Sequence, residues 1–146
     1  MISSPLPAGP ASRFDFANRV SVRLDTGELS STTVLQLLGG ANSAAIRSAG
    51  GAWELIQFSS ATLIGPATYE LSGLLRGQAG TEGEALLGAA EGARFVLIDA
   101  ALARLELRPS ETGLPINWRY GPAGRNIGDE GFAQQSLVLQ IGRAHV

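Results

Sequence analysis

A chain of 146 residues that is 45% hydrophobic is long enough to bury one core and too apolar to be disordered throughout. Its net charge of -2 argues against a general nucleic-acid binder or a polybasic membrane binder, and no apolar run is long enough to cross a bilayer. The absence of cysteine excludes disulfides, thiolate chemistry and Cys-ligated metals.

The opening stretch lacks the charged head and apolar run of a signal peptide. Residues 1–13, rich in Pro, Ser, Ala and Gly, read as a linker or an artificial start inside a longer reading frame. In "RVSVRLD" (19–25), Val20, Val22 and Leu24 alternate with polar residues, the pattern of a half-buried strand. "DTGE" is a turn, and "TVLQLL" (33–38) reads as a further strand closed by "GGAN". "AWELIQF" (52–58), "ATLIG" and "ATYELSGLL" form a meander, its last two members separated by Gly65-Pro66. "GTEGEALLGAAEG" (80–92) is a connection with one weak helical turn. "ARFVLID" (93–99) reads as a central strand, "ARLELR" (103–108) as an alternating one, "PSETG" as a turn and "INWRYGP" as a short strand.

Short strands with turn signals about every ten residues predict an all-β fold, mainly an antiparallel sandwich or barrel, with little helix. The domain expectation is a β domain over 14–113, then a final strand and the start of a truncated following region over 114–140. The tail "IGRAHV" (141–146) matches the conceptual translation of a common sequencing adapter and holds the sole histidine, His145. All 11 basic residues are arginine and Gly numbers 19, a composition explained by a GC-rich genome rather than a role for arginine.

The stretch "YELSGLLRGQAGTE" (69–82) invites a phosphate-loop reading, but the P-loop lysine, its spacing and a following helix are missing. Gly73, Gly77 and Gly80 then read as positions of positive φ or close chain approach. Arg76 reads as an electrostatic tie to a carboxylate or carbonyls, and Thr81 completes the structural motif. Asp15, Asp25, Asp99, Asp129 and Glu130 are too scattered for a metal site, so no metal and no cofactor is expected. Nucleophilic catalysis lacks a base. Carboxylates such as Glu54 and Glu70 on adjacent strands are candidates for a glycosidase pair, and cross-strand pairing with arginine explains them as well. Most aromatic residues alternate as core; Trp118 and Tyr120, sharing a strand face beside Arg119, are the candidates for glycan contact.

"WELIQFSSATLIGPATYELSGLLRGQAGTE", then "GARFVLID", then "WRYGP" resemble a segment of the host-specificity, or tip-attachment, proteins of gene transfer agents and long-tailed phages. In that family an "LSGLLRGQxGTE" block, a "GARFVLLD" strand and a "YGP" triplet recur in this order. The resemblance covers roughly residues 14–122. It implies a β-rich domain from the C-terminal half of a long multidomain chain at the tail tip or baseplate hub. Such chains assemble as trimeric rings and contribute to contact with the recipient envelope. The implied partners are other tail proteins and copies of itself, and the implied location is the particle's tail tip, assembled in the bacterial cytoplasm. No catalytic residue is carried over.

Three functions compete. The first is a structural and interaction module of a tail hub, without enzyme activity, nucleic acid or membrane insertion. The second is a module binding envelope glycans through Trp118, Tyr120 or Trp53. The third is an envelope glycoside hydrolase fragment, which requires two carboxylates converging in a cleft.

Overall fold

The computed structural model describes residues 1–139. The adapter-like residues 141–146, with His145, lie outside them. The chain divides into two units, Met1–Leu102 and Ala103–Val146. The division thus falls after Leu102, not at the expected 113/114 boundary.

The fold is all-β. In the first unit, β1 (Phe14–Asp15), β2 (Val20–Arg23), β3 (Ser43–Arg47), β4 (Trp53–Gly65), β5 (Thr68–Gln78) and β6 (Phe95–Leu97) form one antiparallel sheet. Its order is β1-β5-β4-β3-β6, and β2 lies beside β1 along the same flank of β5. The long β4–β5 hairpin is its backbone. Gly65 and Pro66 end β4 where the chain must reverse, and Ala67 takes the positive φ of the turn.

The linker expected over residues 1–13 is instead structural. Ile2 and Leu6 are fully buried in the core. The Ile2 amide donates to the Ala93 carbonyl and the Leu6 amide to Ala89, while Met1 and Ser3 exchange backbone bonds with Arg23 and Ser21 of β2. Residues 1–6 therefore join the free side of β2 to the approach to β6, and the hydrogen-bonded circuit closes as in a barrel. Proline and glycine richness here marks an extended strap rather than a linker, because proline suits an extended segment whose partners lie on neighbouring strands.

The core comprises Val20, Val22, Ala44, Ile46, Ile56, Phe58, Tyr69, Leu71 and Leu74 together with the strap's Ile2 and Leu6. Val20 and Val22 point inward and Arg23 outward, following their alternation. Several expected strands differ: "AWELIQF" and "ATLIG", read as separate members of the meander, are the single continuous strand β4. "TVLQLL" is a helix, α1 (Val34–Leu38), started by a capping box in which the Thr33 side chain accepts from the Gln36 amide. Its C-terminal end is anchored by the buried Gln57 side chain, which donates to the carbonyls of Leu37 and Ala41. "ARFVLID" contributes only Phe95–Leu97, half-buried and last in the strand order, because its apolar run faces a single partner strand there. Residues 103–108 form no strand.

The second unit pairs β7 (Pro115–Tyr120) with β8 (Ala133–Val138) in a two-stranded antiparallel ribbon. A single helical turn precedes it at Pro109–Glu111. No residue of either strand is fully buried.

Candidate functional site

The most heavily invested polar cluster of the first unit centres on Arg76, whose side chain is completely buried. Its Nε donates to Glu54 Oε1 at 2.6 Å and one Nη2 hydrogen reaches Glu54 Oε2 at 3.1 Å. Nη1 donates to Asp15 Oδ2 at 3.0 Å and to the Pro7 carbonyl at 2.9 Å. Nη2 also reaches the Ala85 carbonyl at 3.4 Å. Every N–H of the planar fork has an acceptor, which lysine could not reproduce.

One guanidinium against two carboxylates leaves a formal charge of minus one in the interior. Backbone and amide donors compensate it. The Gly77 amide donates to Glu54 Oε1. Asp15 accepts from the backbone amides of Ala17 and Asn18 and from the Asn18 side chain at 2.8 Å. Burial pushes the Asp15 carboxyl up, but the Asn18 hydrogen bonds and the Arg76 bond and charge outweigh it and hold the carboxyl below its ordinary value. Through this cluster, strap, β1, β4, β5 and the segment after β5 converge on one side chain.

The glycines of the motif have distinct surroundings. Gly73, Gly77 and Gly80 have φ of 60°, 58° and 83°. At Gly77 the conformation is combined with contact: a Cβ there would lie 2.8 Å from the Glu82 Cα, so the chain turns from β5 straight onto α2 (Glu82–Ala85). Gly80 faces open space. Thr81 closes the motif: its hydroxyl donates to the Gln78 carbonyl at 2.7 Å and accepts from the Leu55 amide at 3.0 Å. Leu55 sits where the β4–β5 register slips, so Thr81 satisfies an amide that the ladder bypasses there. All of these polar groups bond within the unit, and the geometry of the motif is that of a structural knot.

Glu54 and Glu70 are not brought together. Glu54 is buried on Arg76, whereas Glu70, opposite Thr62, pairs at the surface with Arg19 at 2.8 Å. These two carboxylates therefore do not form the converging pair considered for a hydrolase. Among the described residues no three His, Cys, Asp or Glu side chains are grouped to hold a metal ion. No helix among them is long and apolar enough to cross a membrane.

Trp53 is half-buried, with the Arg47 guanidinium 5.5 Å from its ring centre. Trp118 and Tyr120 belong to the second unit. They line a groove of about 370 Å³ with Ala103, Leu105, Gln135 and Leu137. Tyr120 is exposed and Trp118 half-buried, its indole N–H enclosed without an acceptor. Asp15 is the member of the buried cluster that sequence reasoning did not assign. The available signal was "DFAN", an aspartate placed to accept from the amide three residues on.

A closed antiparallel β unit locked by a buried Arg–Glu–Asp cluster defines the class of the first unit. The chain belongs to the Rcc01698-like, C-terminal family, whose model matches residues 1–96. The matched stretch includes the strap, every member of the Arg76 cluster and β1 to β5. No curated protein matches the chain.

Proposed function

We propose that the chain is a structural and interaction module of the tail tip or baseplate hub of a gene-transfer-agent or phage-like particle. The observation that carries this reading is family membership over residues 1–96, in a family named after a gene-transfer-agent-related gene of Rhodobacter capsulatus. The chemistry of the motif supports it. Arg76, Glu54, Asp15 and Thr81 are all consumed by internal bonds, leaving a rigid scaffold and no free nucleophile or acid at that place. The module acts by presenting surfaces to other tail proteins and to copies of itself, at the end of the particle that meets the recipient envelope. Immunogold electron microscopy of particles carrying an epitope-tagged chain tests this. Label at the distal tail end is expected; label on the head alone, or particles free of the chain, would refute it.

A second reading, glycan binding by the second unit, is favoured by the groove that Trp118 and Tyr120 share with the polar side chains of Arg119 and Gln135. Titrating envelope oligosaccharides while following tryptophan fluorescence tests it. A saturable change that disappears in Tyr120→Ala is expected on this reading, and no change at millimolar sugar would eliminate it.

A further inference from the structure

We infer that residues 1–11 are an exchangeable strap, and that in assemblies the slot they occupy is filled by the same residues of a second copy. The proposal does not depend on the tail reading. It rests on how the strap is held.

The strap's bonds are made to residues beyond the hinge, from Asn18, which donates to the Ala8 carbonyl, to Ala93. Ile2 pairs with Val22 and Ala93, Leu6 with Ala89, Gly9 with Ala85, and Ala11 with Arg76. The Pro7 carbonyl sits on Arg76 Nη1. The seat thus contains nothing that must come from the strap's own molecule. It is also shaped for a bare extended backbone. A Cβ on Gly88 would lie 2.5 Å from the Leu6 carbonyl oxygen, and one on Gly9 would run into the Arg76 and Asp15 side chains. Pro5, Pro7 and Pro10 keep the strap extended before it docks, which lowers the ordering cost of binding in trans.

The hinge is short and strained. Only Ser12 and Arg13 separate the last strap bridge at Ala11 from β1, which is held independently through Phe14↔Leu75 and Asp15↔Leu74. Ser12 has φ 64°, a left-handed conformation that costs a residue with a side chain. Opening the hinge releases that strain and leaves β1 in place. Short strained hinges favour exchange of the flanking element between copies. In the exchanged dimer, the Pro7 carbonyl on each Arg76 comes from the partner.

The chain has no cysteine, so introduced thiols report pairing without ambiguity. Ser3 and Ser21 are neighbours across the strap–β2 pairing, with the Ser3 amide on the Ser21 carbonyl at 2.7 Å, and neither is fully buried. Chains carrying Ser3→Cys are mixed with chains carrying Ser21→Cys at high concentration, warmed briefly, cooled and oxidised. A disulfide joining the strap peptide of one to the β2 peptide of the other, found by peptide mass spectrometry, is expected. Unsubstituted chains mixed with 15N-labelled chains provide the companion measurement, with dimers of mixed mass expected in native mass spectrometry. Ser12→Gly, which relaxes the hinge, should lower the dimer fraction several-fold. Monomers alone in both mixtures, dimers without the strap–β2 link, or an unchanged dimer fraction in Ser12→Gly would each overturn the proposal.

Discussion

The β4–β5 and β7–β8 hairpins are built from similar alternating sequence and end differently. The first carries strand partners on both flanks, buries Ile56, Phe58, Leu71 and Leu74, and anchors Arg76 at its far end. The second pairs only with itself, and its side chains are half-buried or exposed. An isolated two-stranded ribbon is marginal in water, so stability in this chain comes from what covers a hairpin rather than from the hairpin's own ladder. The contrast also separates two kinds of polar investment. The first unit places charge inside and satisfies it completely; the second leaves an indole N–H enclosed without an acceptor beside an open groove.

The largest effect is expected at Arg76. Arg76→Met leaves Glu54 and Asp15 buried without their cation, and removing one partner of a buried ion pair costs about 3–5 kcal/mol. Calorimetry of the full chain should show the first unit's transition displaced to much lower temperature or lost; a shift of only a degree or two would mean that the cluster is not integral to the fold. Next comes Gly77→Ala. The left-handed backbone alone costs about 1–3 kcal/mol, and the contact with Glu82 adds to it. Urea denaturation should show a lower midpoint with an unchanged slope.

Acid should act on the first hairpin's anchorage through Asp15, whose carboxyl is held below its ordinary value. A depressed carboxylate contributes stability that is complete above the unfolded value, about 3.9, and is lost as pH falls through the lower folded value. Thermal melts between pH 6 and 2 should therefore steepen downward below about pH 4. Asp15→Asn should lack that component of the acid dependence while starting from a lower melting temperature, and an identical acid limb in the two proteins would exclude Asp15 as its source. The smallest effect belongs to the ribbon. Tyr120→Ala, an exposed change outside the first unit, should move the first unit's stability by less than about 0.5 kcal/mol. A larger shift in its calorimetric transition would show that the two units are coupled.

Alternation and turn chemistry alone determined much of this protein. Val20 and Val22 announced an inward face, Gly65-Pro66 announced the central turn, and the missing lysine disposed of a phosphate loop at Arg76. The reason is local: side-chain period two and the φ demands of a turn are properties of adjacent residues. Local pattern was weaker where two structures share it. "TVLQLL" is apolar enough for a strand, and the Thr33–Gln36 capping box together with the Gln57 anchor made it a helix.

The remaining features arise from contacts between segments far apart in the chain. That Arg76 takes Asp15 and Glu54 together, that Glu70 goes to Arg19 instead, and that residues 1–6 bridge β2 to the approach to β6 are matters of which distant segments meet. A sequence states that a buried arginine needs acceptors. Which carboxylates supply them depends on strand order, register and the closing of loops of 22 and 61 residues, quantities that no local window contains.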